Sequence, residues 1–148
     1  MTEKIPSEAV INVWVQLMRA QSGVLKAIEN ELKEGAFPPL GWYDVALELS
    51  RVKDGLRPFE IERKILLAQY NLSRLLDRLE DAGYVVRKPA PDDGRGNIVV
   101  ITDAGRAFQK RMWPTYRAAI ARHVGAKLSE REAEQLGDLL AKLLVPKT

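Results

Sequence analysis

The chain has 148 residues, 46% of them hydrophobic and 29% charged, which fits one folded domain with a hydrophobic core. It has no cysteine, which excludes disulfides and thiol chemistry. Its one histidine, His123, is too few for a zinc site. We therefore expect no metal and no cofactor. The net charge of +3 is compatible with a nucleic-acid partner but does not require one. No apolar run is long enough to span a membrane and the N-terminus lacks a signal-peptide pattern, so we expect a cytoplasmic protein.

Three helices are predicted in the first half of the chain. Apolar residues at helical spacing predict a long first helix over residues 7–34, with Ser7 as its N-cap. The motif GAFPPLG ends it, because glycine and proline interrupt helices. Two shorter helices are predicted at residues 42–52 and 59–68.

The fourth predicted helix, from about Gln69 to Ala82, has the clearest pattern. Four leucines share one of its faces: Leu72, Leu75, Leu76 and Leu79. Gly83 follows and can supply a left-handed C-cap. The segments YVVRK and NIVVI then alternate like the two strands of a hairpin. Their connection, PAPDDGRG, is longer and more polar than a tight turn needs, which favours a functional loop.

Two more helices are predicted towards the C-terminus. Thr102 can cap the fifth helix, and Pro114 inside it is expected to kink or break it. The sequence SERE at residues 129–132 is a capping box that opens a sixth helix, which Pro146 ends. Five leucines of this segment are expected to face inward: Leu136, Leu139, Leu140, Leu143 and Leu144.

Three short helices followed by a hairpin are the layout of a winged helix-turn-helix. We therefore predict a mainly α fold with a small β-hairpin wing and with dimerisation helices at both ends. Residues 1–148 would form a single domain, with a DNA-binding lobe at residues 40–101 and dimerisation helices at residues 7–34 and 103–146. The terminal helices exceed what a winged helix needs, and their apolar stripes must be buried, which favours a homodimer on a two-fold axis.

In this layout the polar face of the fourth helix would enter the major groove of DNA. The predicted contacts on this helix are Gln69, Tyr70, Asn71, Ser73, Arg74 and Arg78. Arg95, near the hairpin tip and positioned by Asp93, would enter the neighbouring minor groove, where the negative potential attracts a guanidinium. Lys53 and Arg57, after the second helix, would add contacts to the DNA backbone.

Each signal taken alone has an ordinary explanation. A leucine stripe is typical of any amphipathic helix, and Asp-Gly-Arg-Gly is typical of surface turns. Acidic and basic residues also cancel between residues 60 and 97, so DNA binding would depend on where the charges lie. A winged-helix protein-interaction module without sequence-specific DNA binding is therefore the alternative. An enzyme is not expected, because the sequence has no phosphate loop, nucleophile elbow or histidine–cysteine cluster.

The conjunction of these segments resembles the multiple-antibiotic-resistance regulator (MarR) family of winged helix-turn-helix transcriptional regulators. The matching stretches are LSRLLDRLEDAGYVVR and DDGRGNIVVITDAG, which carry the family's Asp-x-Arg wing pattern at Asp93 and Arg95 and its Thr-x-x-Gly pattern at Thr102 and Gly105. The resemblance implies a homodimeric repressor that binds a pseudo-palindromic operator.

The resemblance also implies a pocket for a small effector, often an aromatic acid or a phenol, that releases the DNA. The large aromatic residues that could line such a pocket are Trp14, Trp42, Tyr43 and Trp113. Aromatic side chains are more often part of a core, which is the simpler interpretation of these four. We expect His123 to lie at the surface or at an interface and not to sense a ligand.

Overall fold

A computed structural model describes residues 3–67, 71–91 and 96–144. Its elements are α1 (Glu8–Glu34), α2 (Leu40–Ser50), α3 (Pro58–Lys64), α4 (Leu72–Asp81), β1 (Val85–Pro89), β2 (Asn97–Ile101), α5 (Asp103–His123), a 3₁₀ turn (Gly125–Lys127) and α6 (Glu130–Ala141). The predicted fold class, mainly helical with one hairpin, is confirmed. The chain forms two compact units, one made of residues 32–115 and the other of the segments before and after it. Within the described ranges, no helix is both long and apolar enough to cross a bilayer.

The first helix begins and ends where the sequence predicts. The Ser7 hydroxyl accepts a hydrogen bond from the Val10 amide at 3.2 Å, which caps the first turn. At the other end Ala36 takes a positive φ of 63°, and the Phe37 amide donates to the Leu32 carbonyl at 2.9 Å. This left-handed residue ends α1 just before the two prolines.

The third helix is shorter than predicted, since it stops at Lys64 and not near residue 68. Its start has Pro58 in the first turn, and the Glu60 carboxylate accepts a hydrogen bond from the Arg57 amide at 2.9 Å. Its end is set by a distant side chain. The Leu66 and Leu67 amides donate to the Asp44 carboxylate of α2 at 2.8 and 3.0 Å, so they do not continue the helical ladder.

Helix α4 starts at Leu72, where Asn71 caps it by accepting a hydrogen bond from the Arg74 amide at 3.2 Å. The predicted start at Gln69 lies outside the described residues. The helix ends at Asp81, and Gly83 follows it with a φ of +82° that places the Tyr84 amide 2.9 Å from the Leu79 carbonyl. This is the predicted glycine cap, in the Schellman arrangement. Three of the four predicted leucines are buried and Leu72 is half-buried.

The hairpin follows with an antiparallel register that runs from Val85 opposite Ile101 to Pro89 opposite Asn97. Val85, Val99 and Ile101 are buried on its inner face. Leu56 adds a single bridge to β2, with backbone hydrogen bonds to Val99 of 3.0 and 2.7 Å. The sheet is therefore anchored both by α4 and by the segment that precedes α3.

Helix α5 begins at a tight contact with the end of α4. The Thr102 hydroxyl accepts a hydrogen bond from the Gly105 amide at 3.0 Å and donates to the Gly83 carbonyl at 2.6 Å, which confirms the predicted cap. A Cβ on Gly105 would lie 2.2 Å from the Tyr84 carbonyl oxygen, so only glycine fits there. Pro114 does not break α5, which is continuous through it, because one missing amide donor leaves the neighbouring turns bonded.

Helix α6 differs from the prediction in its environment. The capping box is present, with Ser129 and Glu132 joined by hydrogen bonds of 2.9 and 3.1 Å. The helix ends at Ala141, however, and none of its residues is buried. The expectation that its leucines face inward is therefore wrong for the single chain. These side chains are exposed: Leu136, Leu139, Leu140, Leu143 and Leu144.

In the same unit, the last turns of α1 and α5 are joined through Glu31. Its carboxylate accepts a hydrogen bond from Arg122 and contacts the ring nitrogen Nε2 of His123. The Arg122 hydrogen bond is the largest cause of a lowered pKa for Glu31; desolvation opposes it, and the contact with His123 adds to it. His123 is half-buried and takes part in this ion-pair cluster.

Candidate nucleic-acid interface

Helix α4 presents two opposite faces. Leu75, Leu76 and Leu79 are buried, whereas Ser73, Arg74 and Arg78 are exposed. Within the described part of the chain, neither Arg74 nor Arg78 forms an ion pair. Their guanidinium groups are thus open to an external anion or a base edge.

The acidic residues of α4 are placed differently. Arg87 of β1 lies 2.8 Å from Asp77 and 3.7 Å from Glu80, measured between side-chain nitrogen and oxygen atoms. Two of the acids that cancel the basic charge in the sequence, Asp77 and Glu80, are therefore engaged by the hairpin arginine. Sequence reasoning did not select Arg87 as a site residue, since its position in a strand does not reveal what it contacts.

An open groove of about 180 Å³ runs beside the exposed arginines. It is lined by Pro39, Trp42, Asn71, Arg74, Leu75 and Arg78. Trp42, predicted for an effector pocket, therefore shares a surface with predicted DNA contacts. The groove belongs to the unit of residues 32–115.

The remaining predicted DNA contacts have distinct environments. The Asn71 side chain serves as the cap of α4, so its carbonyl oxygen already holds a backbone amide. Lys53 is exposed, whereas Arg57 is half-buried at the start of α3. The Arg57 guanidinium lies 3.8 Å from where a Cβ on Gly96 would be, so Arg57 borders the end of the hairpin loop.

Four predicted contacts lie outside the described residues, and they stay predictions. They are Gln69, Tyr70, Asp93 and Arg95.

Asp44 is a residue of this region that sequence reasoning missed. It is only 6% exposed, and it fixes the turn between α3 and α4 through the Leu66 and Leu67 amides. Burial raises the pKa of the Asp44 carboxyl, although the two backbone hydrogen bonds act in the opposite direction. The available signal was an acid within the otherwise apolar segment WYDVAL.

Three of the four candidate effector residues belong to the unit of residues 32–115, where they fall into two aromatic groups. Tyr43 is buried and stacks on Trp113 at a centroid distance of 6.1 Å. Trp42, next to Tyr43 in α2, instead packs edge-on against Tyr84 and Phe108. Trp14 belongs to the other unit and is 62% exposed. An effector role for these residues stays a prediction.

No group of three or more histidine, cysteine or carboxylate side chains lies close enough to hold a metal ion in the described ranges. The chemistry of this surface is instead that of arginine, amide and hydroxyl groups beside a hairpin.

Comparisons with known proteins place this geometry in a family. The model of the MarR family matches residues 37–96, which span α2 to the hairpin. An uncharacterised HTH-type transcriptional regulator of Bacillus subtilis, YkoM, is 30% identical over 91% of this chain and 86% of its own length. The HTH-type transcriptional repressor Mb2911 of Mycobacterium bovis is 33% identical over 67% of this chain and 70% of its own length.

A solved structure has the same fold. Sco3205, a MarR family transcriptional regulator from Streptomyces coelicolor in complex with DNA, superposes with a TM-score of 0.82. The match covers 96% of this chain and 89% of that one at 23% identity. The chain belongs to the MarR family of winged helix-turn-helix transcriptional regulators.

Proposed function

We propose that the protein represses transcription by binding operator DNA through α4 and the hairpin. The observation that carries this proposal is the exposure of two arginines, Arg74 and Arg78, on the face of α4 opposite its buried leucines. A helix of this kind fits the major groove, where arginine bonds guanine edges or phosphates. Arg95 at the hairpin tip would reach the adjacent minor groove.

The active form would be a homodimer. Helix α6 has no buried residue, and an isolated helix of its length is marginal in water, so its leucine stripe needs a partner. Helix α1 of the same unit also exposes apolar side chains: Val10, Ile11, Val13, Trp14 and Met18. Exposed apolar surface on this scale is typical of an interaction site, and a second copy of the chain supplies a matching surface.

A symmetric dimer would carry two copies of α4. Such a pair reads two half-sites about one turn of DNA apart, roughly 34 Å, so the target would be a pseudo-palindrome. Repression is the favoured direction of regulation, because the relative from Mycobacterium bovis is described as a repressor. A regulator of this kind would act in the cytoplasm.

A small aromatic effector would relieve repression by a population shift. A ligand that binds better to a dimer whose two α4 helices misfit the half-sites would lower the affinity for DNA. Such a ligand would change the affinity for a selected duplex. Equal DNA affinity with and without candidate aromatic acids and phenols would instead indicate a constitutive binder.

The test is selection of bound duplexes from a random pool by the full-length protein. We expect a two-fold symmetric motif with half-sites one helical turn apart, and an affinity that falls steeply with salt. The matched control is the Arg74→Ala, Arg78→Ala double variant in the same selection, which should enrich no motif. A wild-type protein whose weak DNA binding has no salt dependence would favour the alternative, a protein-interaction module.

A further inference from the structure

One side chain of the hairpin contacts two turns of α4. Arg87 lies opposite Val99 in the hairpin register, and it shares its side of β1 with the buried Val85. Its Nη1 lies 2.8 Å from the Asp77 carboxylate and 3.7 Å from that of Glu80. Its Nη2 donates a long hydrogen bond of 3.5 Å to the Ser73 carbonyl oxygen. The guanidinium thus spans the helix from Ser73 to Glu80.

Apolar packing is tight at the base of the hairpin and gives way to an open groove further out. Near its base Val85 is buried, with 1% of its surface exposed. Further out an open groove of about 420 Å³ separates the elements, and its lining includes Phe59, Leu72, Arg87 and Asn97. The polar bridge from Arg87 to α4 lies beside this unfilled space.

We propose that Arg87 is a positioning residue that locks the hairpin to α4, so that both elements meet DNA as one rigid unit. It also neutralises Asp77 and Glu80, which would otherwise repel the phosphates that Arg74 and Arg78 approach. The expected effect of Arg87 on DNA affinity rests on the proposed DNA-binding function. Its structural part, the locking of the hairpin, can be measured without DNA.

A direct phosphate contact is the rival role for Arg87, and a double-mutant cycle separates the two. In an otherwise wild-type protein, Arg87→Ala should weaken binding to a selected duplex by about tenfold or more. In an Asp77→Asn, Glu80→Gln background the same change should cost less than about threefold, because the acids that Arg87 holds are already neutral. Equal losses in both backgrounds would mean that Arg87 contacts DNA itself, and would overturn the proposal.

Two further variants serve as controls for the double-mutant cycle. Lys88→Ala removes the same charge from the next position of β1, where the side chain is exposed, and should leave the exchange of the hairpin amides unchanged. Arg87→Lys keeps a charge that can pair with Asp77 and should recover part of the lost affinity.

Thermal unfolding of Arg87→Ala should be nearly unchanged, since ion pairs this exposed add little stability. A loss of DNA binding that merely follows a fall in the unfolding temperature would contradict a positioning role.

Amide hydrogen exchange of the free protein completes the test. Arg87→Ala should speed exchange of the β1 and β2 amides by about threefold, a change small enough to leave thermal unfolding nearly unaltered, with no further acceleration when Asp77 and Glu80 are also neutral. Unchanged exchange would overturn the inference, whatever the DNA result. Faster exchange in a protein that selects no duplex would uphold the locking role while refuting the proposed DNA-binding function.

Discussion

At the scale of single residues, placement decides what each charge does. Arg74 and Arg87 are the same residue type 13 positions apart in the sequence, but Arg74 points away from the fold and Arg87 is engaged by two carboxylates. The sequence could supply the cancelling charge count but not its division in space. That division depends on which strand residues reach α4, a tertiary property that local patterns do not contain.

Asp44 gives a prediction at this scale. Asp44→Ala should lower the free energy of unfolding by about 2–4 kcal/mol, because it leaves the Leu66 and Leu67 amides without their acceptor. Urea denaturation measures this loss. The control is Glu48→Ala, which removes a half-buried carboxylate of the same helix that forms an ion pair with the exposed Arg51. A loss no larger than that of the control would contradict the assigned role.

The titration of Asp44 gives a second prediction, on pH. Burial raises the folded-state pKa of Asp44 above its unfolded value, so protonation favours the folded state. This contribution is fully present below the unfolded pKa and is lost as the pH rises through the folded pKa. The wild type should therefore gain stability relative to Asp44→Asn as the pH falls from 7 towards about 4. Paired thermal melts measure the difference, and a relative loss on acidification would refute the sign.

At the scale of elements, the sequence predicts most of the DNA-binding lobe. Leucine spacing, Gly83 and the alternating strands indicate α4 and the hairpin correctly, since these signals are local. The prediction is wrong for the end of α3, because that end depends on Asp44, some twenty residues earlier in the chain. The prediction is also wrong for the burial of the α6 leucines, because the amphipathic pattern shows which face is apolar but not what covers it.

Two roles of Asn71, capping α4 and contacting a DNA base, can be separated by substitution. Asn71→Ala should lower the free energy of unfolding by about 1 kcal/mol, because the Arg74 amide loses its acceptor. Asn71→Ser should restore most of that stability, since serine is also a good N-cap. If Asn71 only caps the helix, Asn71→Ser should also restore the wild-type DNA affinity. Restored stability with DNA binding still impaired would assign Asn71 a base contact as well.

At the scale of the whole molecule, the proposed assembly depends on α6. Deleting residues 129–148 should give a monomer and should weaken operator binding by about a hundredfold or more, because the two copies of α4 then bind DNA independently. Sedimentation equilibrium and a mobility-shift assay measure the two effects.

Point substitutions in α6 test whether its leucines, and not the mere removal of the segment, account for the loss of the dimer. Replacing Leu136, Leu139 and Leu140 by glutamine should reproduce the monomer, whereas Glu134→Gln with Asp138→Asn should leave the dimer intact. A truncated chain that binds as tightly as the full chain would refute the dimer.

The central claim is that α4 reads bases in the major groove while the hairpin reads the flanking minor groove. Its most direct measurement compares the motif selected from random duplexes by the wild type with the motifs selected by Arg74→Ala and by Arg95→Ala. We expect Arg74→Ala to lose base preference at one position in each half-site, and Arg95→Ala to lose mainly the preference for A/T-rich flanks. If both variants selected the wild-type motif unchanged, α4 and the hairpin would not be the reading elements.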